Sequence, residues 1–427
     1  MVWTLYTREK ILSGLTMAIH KPVALYPTFK DLKETRLDEF QELSSFLSSG
    51  PSWRKQSWLW GREFLSYIGR NKSQHTYTRF RSEIEKFLLW SFVIKESACD
   101  EFRKTDILDY ADFCWKPPQT WISLTNHDKF QSKGDGTYVQ NKEWSPYRLV
   151  VSKGDDSTPD KKKYRPSQQT MSATFTAIIA FYKYLMDEEF CVGNPAQLAK
   201  KDCRHFIKDA QVKDVKRLSE EQWLFLLETV TTMADDNPRY ERNLFLIAAL
   251  KTLFLRISEF SERPDWIPVM GHFWEDSNKN WWLKVYGKGR KLRDITVPPS
   301  FMSYLKRYRL YRGMSSLPLT GENNPIVEKL RGSGGMTARQ LSRLVQEVFD
   351  QAYELMKKQH GEELARKFRE VSTHWLRHTG ASLEIERGRA LKDLSEDLGH
   401  SSMATTDTVY VQSEDRKRAE SGKNRKV

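Results

Sequence analysis

The stretch STHWLRHTGASLEIERG, residues 372–388, places two histidines and an arginine within five positions. His374, Arg377 and His378 stand at i, i+3 and i+4, so a helix here presents all three side chains on one face. A zinc hydrolase helix of the HExxH type carries a glutamate directly after its first histidine, but Trp375 stands there and Arg377 repels a cation. The pattern therefore argues against a metal site, and a zinc-dependent hydrolase using the two histidines is the weaker alternative.

The composition indicates a folded protein with an excess of positive charge. A length of 427 residues allows two or three domains, and 39% hydrophobic residues with 14 tryptophans argue against disorder. Lys and Arg outnumber Asp and Glu by 69 to 56, which gives a net charge of +13. This excess suits a polyanionic partner, with nucleic acid first and an acidic membrane second, although a plain basic surface explains it equally well.

The sequence predicts an intracellular protein that spans no membrane. No apolar run approaches the roughly 18 residues that a membrane helix needs. Arg8, Glu9 and Lys10 interrupt the apolar run that a signal peptide requires. The cysteines show no CxxC pair, so we predict reduced thiols and neither disulfides nor zinc ligands: Cys99, Cys114, Cys191 and Cys203.

Periodicity and composition divide the chain into three parts. Residues 1–52 mix helix and loop signals and end in the turn-like SSGPS. Residues 53–215 carry helical patterns rich in aromatic and basic side chains, interrupted at 116–168 by loop-forming residues and a basic run. Residues 216–427 follow a charged linker and end in a polar, basic tail.

The last part is predicted to be mainly α-helical with one small β-hairpin. Two capping boxes mark helix starts, Ser219 with Gln222 and Thr337 with Gln340. The stretch WWLKVYGKGRKLRDITVP, residues 281–298, alternates apolar and polar positions on both sides of a Gly-Lys-Gly turn. This pattern predicts a hairpin with basic residues at its tip and along its return strand.

Two further segments carry candidate site residues. LKTLFLRISEFSE puts Arg256 at the end of a strongly apolar helix, where burial without an anion would cost several kcal/mol. An ion pair with Glu259 is the structural alternative. Downstream, LKDLSEDLGHSSMATTDTVYVQ ends a helix at Gly399 and His400 and supplies one tyrosine, Tyr410.

These pieces, in this order, resemble the tyrosine recombinases, or phage integrase family. The matching positions are Arg256 in LRISE, Lys288 in GKGRK, His374 and Arg377 in HWLRHT, His400 in LGHSS, and then Tyr410. The resemblance covers residues 216–412 closely and residues 60–200 loosely. Two features depart from the family: Tyr410 lies ten residues after His400, where about nine is more common, and the segment 116–168 is longer than usual.

The resemblance implies a helical core-binding domain followed by a tyrosine-recombinase catalytic domain. It implies a site-specific DNA recombinase or integrase of a mobile element, which cuts and rejoins DNA through a 3′-phosphotyrosyl intermediate. Such chemistry uses neither metal nor ATP, so no cofactor is expected. The expected partner is double-stranded DNA, bound by a homotetramer on two DNA sites with accessory DNA-bending factors, in the cytoplasm at the nucleoid. A catalytically silent DNA-binding protein of the same fold is the alternative, suggested by the extra residue before Tyr410.

The family motifs also imply a role for each matched residue. Tyr410 is the nucleophile, and Arg256 and Arg377 bind the phosphate oxygens with planar, permanently charged donors. His374 and His400 donate to the same oxygens, and His374 could also accept the tyrosine proton.

The basic hairpin and the basic run are the expected DNA contacts. Lys288 is expected to protonate the departing 5′ oxygen, and Lys291 is the competing candidate. Lys291 and Arg293 are otherwise expected to contact backbone phosphates. The basic run is expected to lie in a partly flexible loop facing DNA: Lys161, Lys162, Lys163 and Arg165.

Overall fold

The chain folds into two compact units. Both are mainly helical, which confirms the fold class that the sequence predicts. The computed structural model of the protein describes the following residues: 21–34, 36–151, 158–206, 216–287, 291–400 and Lys423. The first unit contains the described residues up to 206, and the second contains those from 216 onward. Each unit has its own hydrophobic core. Among these residues no helix combines the length and the apolar character needed to cross a membrane.

The first unit is a bundle of helices around one long buried helix, α4. Its helices are α1 (Phe29–Glu34), α2 (Gln41–Ser48), α3 (Ser52–Asn71), α4 (Gln74–Trp90), α5 (Lys104–Trp115), α6 (Gln168–Asp187) and α7 (Pro195–Asp202). Serine caps begin two of them, because Ser73 accepts from the Thr76 amide at 3.2 Å and Ser167 from the Thr170 amide at 3.1 Å.

The segment before α1 belongs to the core of this unit. Leu25 and Tyr26 are fully buried. Their amides donate to the Glu85 carboxylate of α4 at 2.7 and 3.3 Å, and the Tyr26 ring stacks on Trp58 at 5.9 Å. A separate role of residues 1–52 in DNA binding or assembly stays a prediction.

The insertion at 116–168 is more ordered than its loop-forming residues suggest. It contains four short strands, paired β1 with β4 and β2 with β3: β1 (Ile122–Ser123), β2 (Phe130–Ser132), β3 (Tyr138–Gln140) and β4 (Tyr147–Arg148). Its Trp121 is fully buried, and its Tyr138 stacks on Phe40 at 4.7 Å. Lys129 forms a buried ion pair with Glu85, and burial lowers the pKa of Lys129 to about 8. Aromatic packing and this pair therefore fix the described part of the insertion to α2 and α4.

The second unit packs helices around a small antiparallel sheet. Its helices are α8 (Glu220–Asp236), α9 (Glu241–Thr252), α10 (Pro299–Tyr311), α11 (Ala338–His360), α12 (Glu362–Glu370), α13 (Thr373–Glu386) and α14 (Leu391–Leu398). Both predicted capping boxes are confirmed: Ser219 with Gln222 begins α8, and Thr337 with Gln340 begins α11.

The sheet has the order β5-β6-β7, with β5 at Phe273–Glu275, β6 at Trp281–Tyr286 and β7 at Leu292–Val297. The predicted hairpin is confirmed, because β6 and β7 pair antiparallel from Trp281 opposite Val297 to Tyr286 opposite Leu292. The third strand, β5, was not predicted. The Gly287 amide donates to the Lys291 carbonyl at 2.9 Å, so the described part of the hairpin ends at these two residues.

Close packing of α13 on α9 fixes the helix that carries the histidines and arginine of the opening motif. A Cβ atom at Gly380 would lie 2.0 Å from the Lys251 carbonyl oxygen of α9. Only glycine allows this approach without moving the backbone. The side chains of α13 are therefore set relative to the segment that follows α9, where Arg256 lies.

Candidate active site

Arg256 lies in the segment that follows α9, and a local carboxylate holds its backbone. The residue caps the short 3-10 turn Ile257–Glu259. The Glu259 carboxylate accepts from the Arg256 amide at 2.9 Å and from its Nη1 at 3.2 Å. The ion pair that the sequence left open as an alternative is thus present. The Arg256 side chain is still 23% exposed, so solvent reaches part of it.

Glu259 binds a second arginine more closely than the first. Its carboxylate is 1% exposed and accepts from Arg293 Nη1 at 2.8 Å and from Arg293 Nη2 at 3.1 Å. Burial alone would raise the pKa of Glu259, but the hydrogen bonds and charge of Arg293 and the Arg256 amide hold it below its ordinary value. The carboxylate is therefore ionised at neutral pH and joins β7 to the Arg256 turn.

Arg377 is buried, with 3% exposure, and connects three segments of the unit. Its Nη1 donates to the Phe254 carbonyl and its Nη2 to the Leu398 carbonyl, each at 2.6 Å. The same Nη2 lies 3.3 Å from His400 Nε2. The guanidinium of α13 thus meets the segment before Arg256 and the end of α14.

The Phe254 carbonyl reaches Arg377 through an uncommon backbone conformation. Phe254 has φ of 50°, in the left-handed region that a bulky residue rarely adopts. Strain of this kind persists where surrounding contacts enforce it, and it clusters at functional sites. The ring of Phe254 packs in a small cluster with residues of α13 and α14, which supplies that enforcement.

The end of α14 is bound to β7. Asp397 is buried and accepts from the Thr296 amide at 3.1 Å and from the Thr296 hydroxyl at 2.6 Å, while its own carbonyl accepts from Arg293 Nε at 2.9 Å. Gly399 then turns the chain with φ of 63°, and a Cβ atom there would lie 2.9 Å from Arg293 Cδ. These contacts determine the position of His400 directly after the turn.

The three histidines of the site are held neutral at pH 7. Burial and the charges of Arg377 and Arg256 lower the pKa of His374, and lower that of His400 to about 4. Burial, with His374 and Arg377 nearby, lowers the pKa of His378 to about 4. A neutral imidazole has one N–H donor and one acceptor nitrogen, so His374 and His400 can donate to an anion or accept a proton.

The first unit contains an open, basic cavity of about 810 Å³ between the insertion and helices α4 and α6. Arg148 and Arg165 line it and are exposed. Beside it, Lys161–Lys163 form one 3-10 turn, which begins where the Asp160 carboxylate accepts from the Lys162 amide at 2.9 Å. Lys162 and Lys163 are exposed, whereas Lys161 is half-buried.

Comparison with known proteins gives the same family for the second unit. Residues 216–417 match the model of the phage integrase family. The tyrosine recombinase XerC of Thermodesulfovibrio yellowstonii is 26% identical over 245 residues, which cover 56% of this chain and 70% of the relative. XerC of Bacillus subtilis is 25% identical over 241 residues, covering 56% and 69%.

The chain contains a domain of the phage integrase family of tyrosine recombinases. Its fold is similar to that of the Tn1549 transposon integrase, solved in complex with a circular intermediate DNA, with a TM-score of 0.51 and 16% identity over 85% of this chain and 98% of that one. The recombinase is therefore an enzyme of site-specific DNA recombination. Neither the hydrolase nor the silent-protein alternative is favoured by these findings.

Four of the six predicted catalytic residues of the recombinase lie in the described part of its second unit: Arg256, His374, Arg377 and His400. Arg377 contacts His400 directly, and the charges of Arg256 and Arg377 both act on His374. Lys288 and Tyr410 lie outside the described residues.

Lys291 and Arg293 of the hairpin differ in their exposure to solvent. Lys291 is exposed, in keeping with the predicted phosphate contact. Arg293 was expected to contact a phosphate as well, but its guanidinium donates to Glu259 and to the Asp397 carbonyl, and only 13% of its side chain is exposed. Arg293 therefore has a structural role between β7, Glu259 and the end of α14, and its phosphate contact stays a prediction.

Two residues of the recombinase site escaped sequence reasoning. The sequence suggested Glu259 only as an ion-pair partner of Arg256, in place of a phosphate. The structure shows that Glu259 also binds Arg293 of β7. The left-handed Phe254 carries no signal at all, because nothing in LKTLFLRISE marks a turn.

Proposed function

We propose that this recombinase cuts and rejoins double-stranded DNA through a 3′-phosphotyrosyl intermediate, in the integration or excision of a mobile element. The observation that carries the proposal is the arrangement around Arg377. One buried guanidinium contacts His400 and the carbonyl two residues before Arg256. Arginine and neutral imidazole donors gathered in this way suit a phosphodiester, whose oxygens gain charge in the transition state.

In the proposed mechanism Arg256 and Arg377 bind the non-bridging oxygens of the scissile phosphate. Arginine suits this task because its planar donors match two oxygens at once. His374 and His400 are neutral because their pKa values are lowered. Each imidazole keeps one N–H, which it donates to the same phosphate. Glu259 balances the positive charge and fixes Arg256 from behind.

The cleavage step exchanges one phosphorus–oxygen bond for another. The phenol oxygen of Tyr410 forms a bond to phosphorus as the bond from phosphorus to the 5′ oxygen breaks. The phenol loses its proton to a base, for which His374 is the candidate, and the 5′ oxygen takes a proton from Lys288. A 5′ hydroxyl later attacks the phosphotyrosine in the reverse reaction, so rejoining requires no ATP.

The remaining parts of the proposal concern assembly. We assign residues 53–215 to core DNA binding and 216–427 to catalysis, with residues 1–52 in arm binding or assembly. Two recombination sites must be held together for strand exchange, so a homotetramer on two DNA sites, helped by DNA-bending factors, is proposed. Relatives named tyrosine recombinases XerC and XerD support the recombination reaction, and an integrase of similar fold solved with DNA supports DNA as the substrate. The proposed location is the nucleoid.

The general acid can be tested with a sulfur substrate. Lys288→Ala should slow cleavage of ordinary DNA by about 10²–10⁴-fold, because an alkoxide is a poor leaving group without a proton. A substrate with sulfur in place of the bridging 5′ oxygen should restore cleavage, since a thiolate leaves unprotonated near neutral pH. Single-turnover cleavage of both substrates measures the effect.

Lys291→Ala is the matched control for this test, because Lys291 lies on the same hairpin and is exposed. Its rate relative to the unaltered protein should be nearly the same on the ordinary substrate and on the sulfur substrate. If Lys291→Ala is the variant restored by sulfur and Lys288→Ala remains inactive on it, the proton comes from Lys291.

The basic turn of the first unit is proposed to contact backbone phosphates. Replacing Lys162 and Lys163 together by glutamine should weaken binding to all duplex sequences alike. The slope of log affinity against log salt should become shallower by about 2, because each lost phosphate contact removes about 0.9. Fluorescence anisotropy at several salt concentrations measures this slope. The pair Lys200 and Lys201 of α7, away from the cavity, is the control, and an unchanged slope in the first variant would exclude the contact.

A further inference from the structure

An aromatic stack lies beside the end of the hairpin strand β6. The indole of Trp266 stacks on His272, with ring centres 4.5 Å apart and 8° between planes, and on Tyr286, at 5.6 Å and 29°. All three rings are partly exposed, and the neighbouring Ile267 is 55% exposed. The stack is therefore outside the main core. Burial in that core would by itself explain a tryptophan, but it does not explain this one.

Hydrogen bonds connect the same stack to the site. Trp266 Nε1 donates to the Glu259 carbonyl at 3.1 Å. Arg263 and Trp266 exchange two backbone hydrogen bonds of 3.0 Å, which close the turn that carries the indole. Arg263 Nη2 donates to the Tyr286 carbonyl at 2.9 Å, and its guanidinium lies 5.3 Å from the centre of the Tyr286 ring. The last residue of β6 is thereby held through both its ring and its backbone.

The next residue, Gly287, packs against the ion pair of the site. A Cβ atom at Gly287 would lie 2.8 Å from Arg293 Nη1 and 3.4 Å from Glu259 Oε1. The end of β6 therefore contacts two fixed groups. Tyr286 contacts the Trp266 stack, and Gly287 packs beside the Glu259 carboxylate that also holds Arg256.

We propose that Trp266 is a positioning residue for recombination, which sets where the hairpin tip begins relative to the phosphate-binding arginines. Its indole bonds to the backbone of Glu259 and stacks on Tyr286, so it links the Arg256 turn to the strand that leads to position 288. The inference rests on the proposed function, in which a lysine of this tip protonates the 5′ oxygen. Trp266 itself contacts no reacting atom in this scheme.

The test compares Trp266→Leu on ordinary DNA and on DNA with a bridging 5′ sulfur. A displaced proton donor can slow the reaction by about 10²-fold, so we expect cleavage of ordinary DNA to fall by roughly 10–10²-fold. On the sulfur substrate, which needs no proton, the rate should return to within about threefold of the unaltered protein. A purely structural defect would slow both substrates equally.

Trp274→Leu is the matched control, because it removes an indole from the same sheet at the other end of β6. Trp274 stacks on Trp282 at 6.1 Å and bonds to Asp294, away from Gly287. This variant should show no difference between the substrates. Trp266→Phe keeps a ring for Tyr286 but loses the bond to Glu259, so it should fall between Trp266→Leu and the unaltered protein on ordinary DNA.

The outcomes separate this inference from the proposed function. Equal slowing of Trp266→Leu on both substrates overturns the positioning role, whatever its melting temperature. Restoration of Trp266→Leu by sulfur supports it, and the lysine variants then show which residue is positioned. If Lys288→Ala is not restored while Trp266→Leu is, the assignment of Lys288 fails and the positioning role stands.

Discussion

Replacing Tyr410 by phenylalanine is expected to abolish covalent attachment of the protein to DNA. The substitution removes only the phenol oxygen, which is the proposed nucleophile, and takes away no positive charge. Affinity for duplex DNA should therefore stay within about threefold, because phosphate contacts dominate it. A nicked substrate that loses a short fragment on cleavage traps the adduct, which denaturing electrophoresis then detects.

Tyr311→Phe is the control, because Tyr311 is an exposed tyrosine of the same unit. It should form adduct at the normal rate. Adduct formed by the Tyr410→Phe variant would mean that another side chain attacks the phosphate. If the unaltered protein forms no adduct on any recombination site that it binds, the longer spacing between His400 and Tyr410 has silenced the enzyme.

Arg377→Lys is expected to reduce cleavage by at least about 10²-fold although it retains the charge. Removing one preorganised donor of this kind typically costs about 3 kcal/mol of transition-state stabilisation. Here the guanidinium also bonds two carbonyl groups, of Phe254 and Leu398, and one ammonium cannot reach both and a phosphate in the same geometry. Single-turnover cleavage, with binding to an uncleavable duplex and thermal melting, separates chemistry from affinity and stability.

Two further arginine-to-lysine variants show whether the effect of Arg377→Lys is specific to the proposed phosphate donors. Arg256→Lys should be impaired in the same direction, because the guanidinium of this partly exposed side chain is the other proposed phosphate donor. Arg366→Lys, on the exposed face of α12, should cleave normally. Cleavage by Arg377→Lys close to the normal rate would show that this arginine only holds the segments together.

The parts of the fold that the sequence predicts are those with local signals. The capping box at Ser219 begins α8, and the alternating strands on both sides of Gly287 pair in the expected hairpin. His374 and Arg377 share α13 because their spacing matches the helical period. In each case the residues that decide the structure are within about twenty positions of one another.

The parts that the sequence missed depend on contacts between distant segments. The basic hairpin predicts a DNA contact for Arg293, but it does not indicate that Glu259, 34 positions away, accepts two hydrogen bonds from this guanidinium. The left-handed Phe254 is enforced by α13 and α14, which follow more than a hundred residues later. The insertion at 116–168 carries loop-forming residues, and only its packing on α2 and α4 explains its strands. Composition alone cannot supply such pairings.

The buried pair of Glu85 and Lys129 constrains how the first unit can be shortened or recombined with relatives. Glu85 belongs to the central helix, whereas its cation comes from the insertion. Deleting the insertion to match the usual family length would leave a carboxylate in the core without its counter-ion, at a cost of about 3–5 kcal/mol. Glu85 and the insertion therefore depend on each other for stability. A chimera that takes the helix from this protein and omits the insertion should replace Glu85 as well.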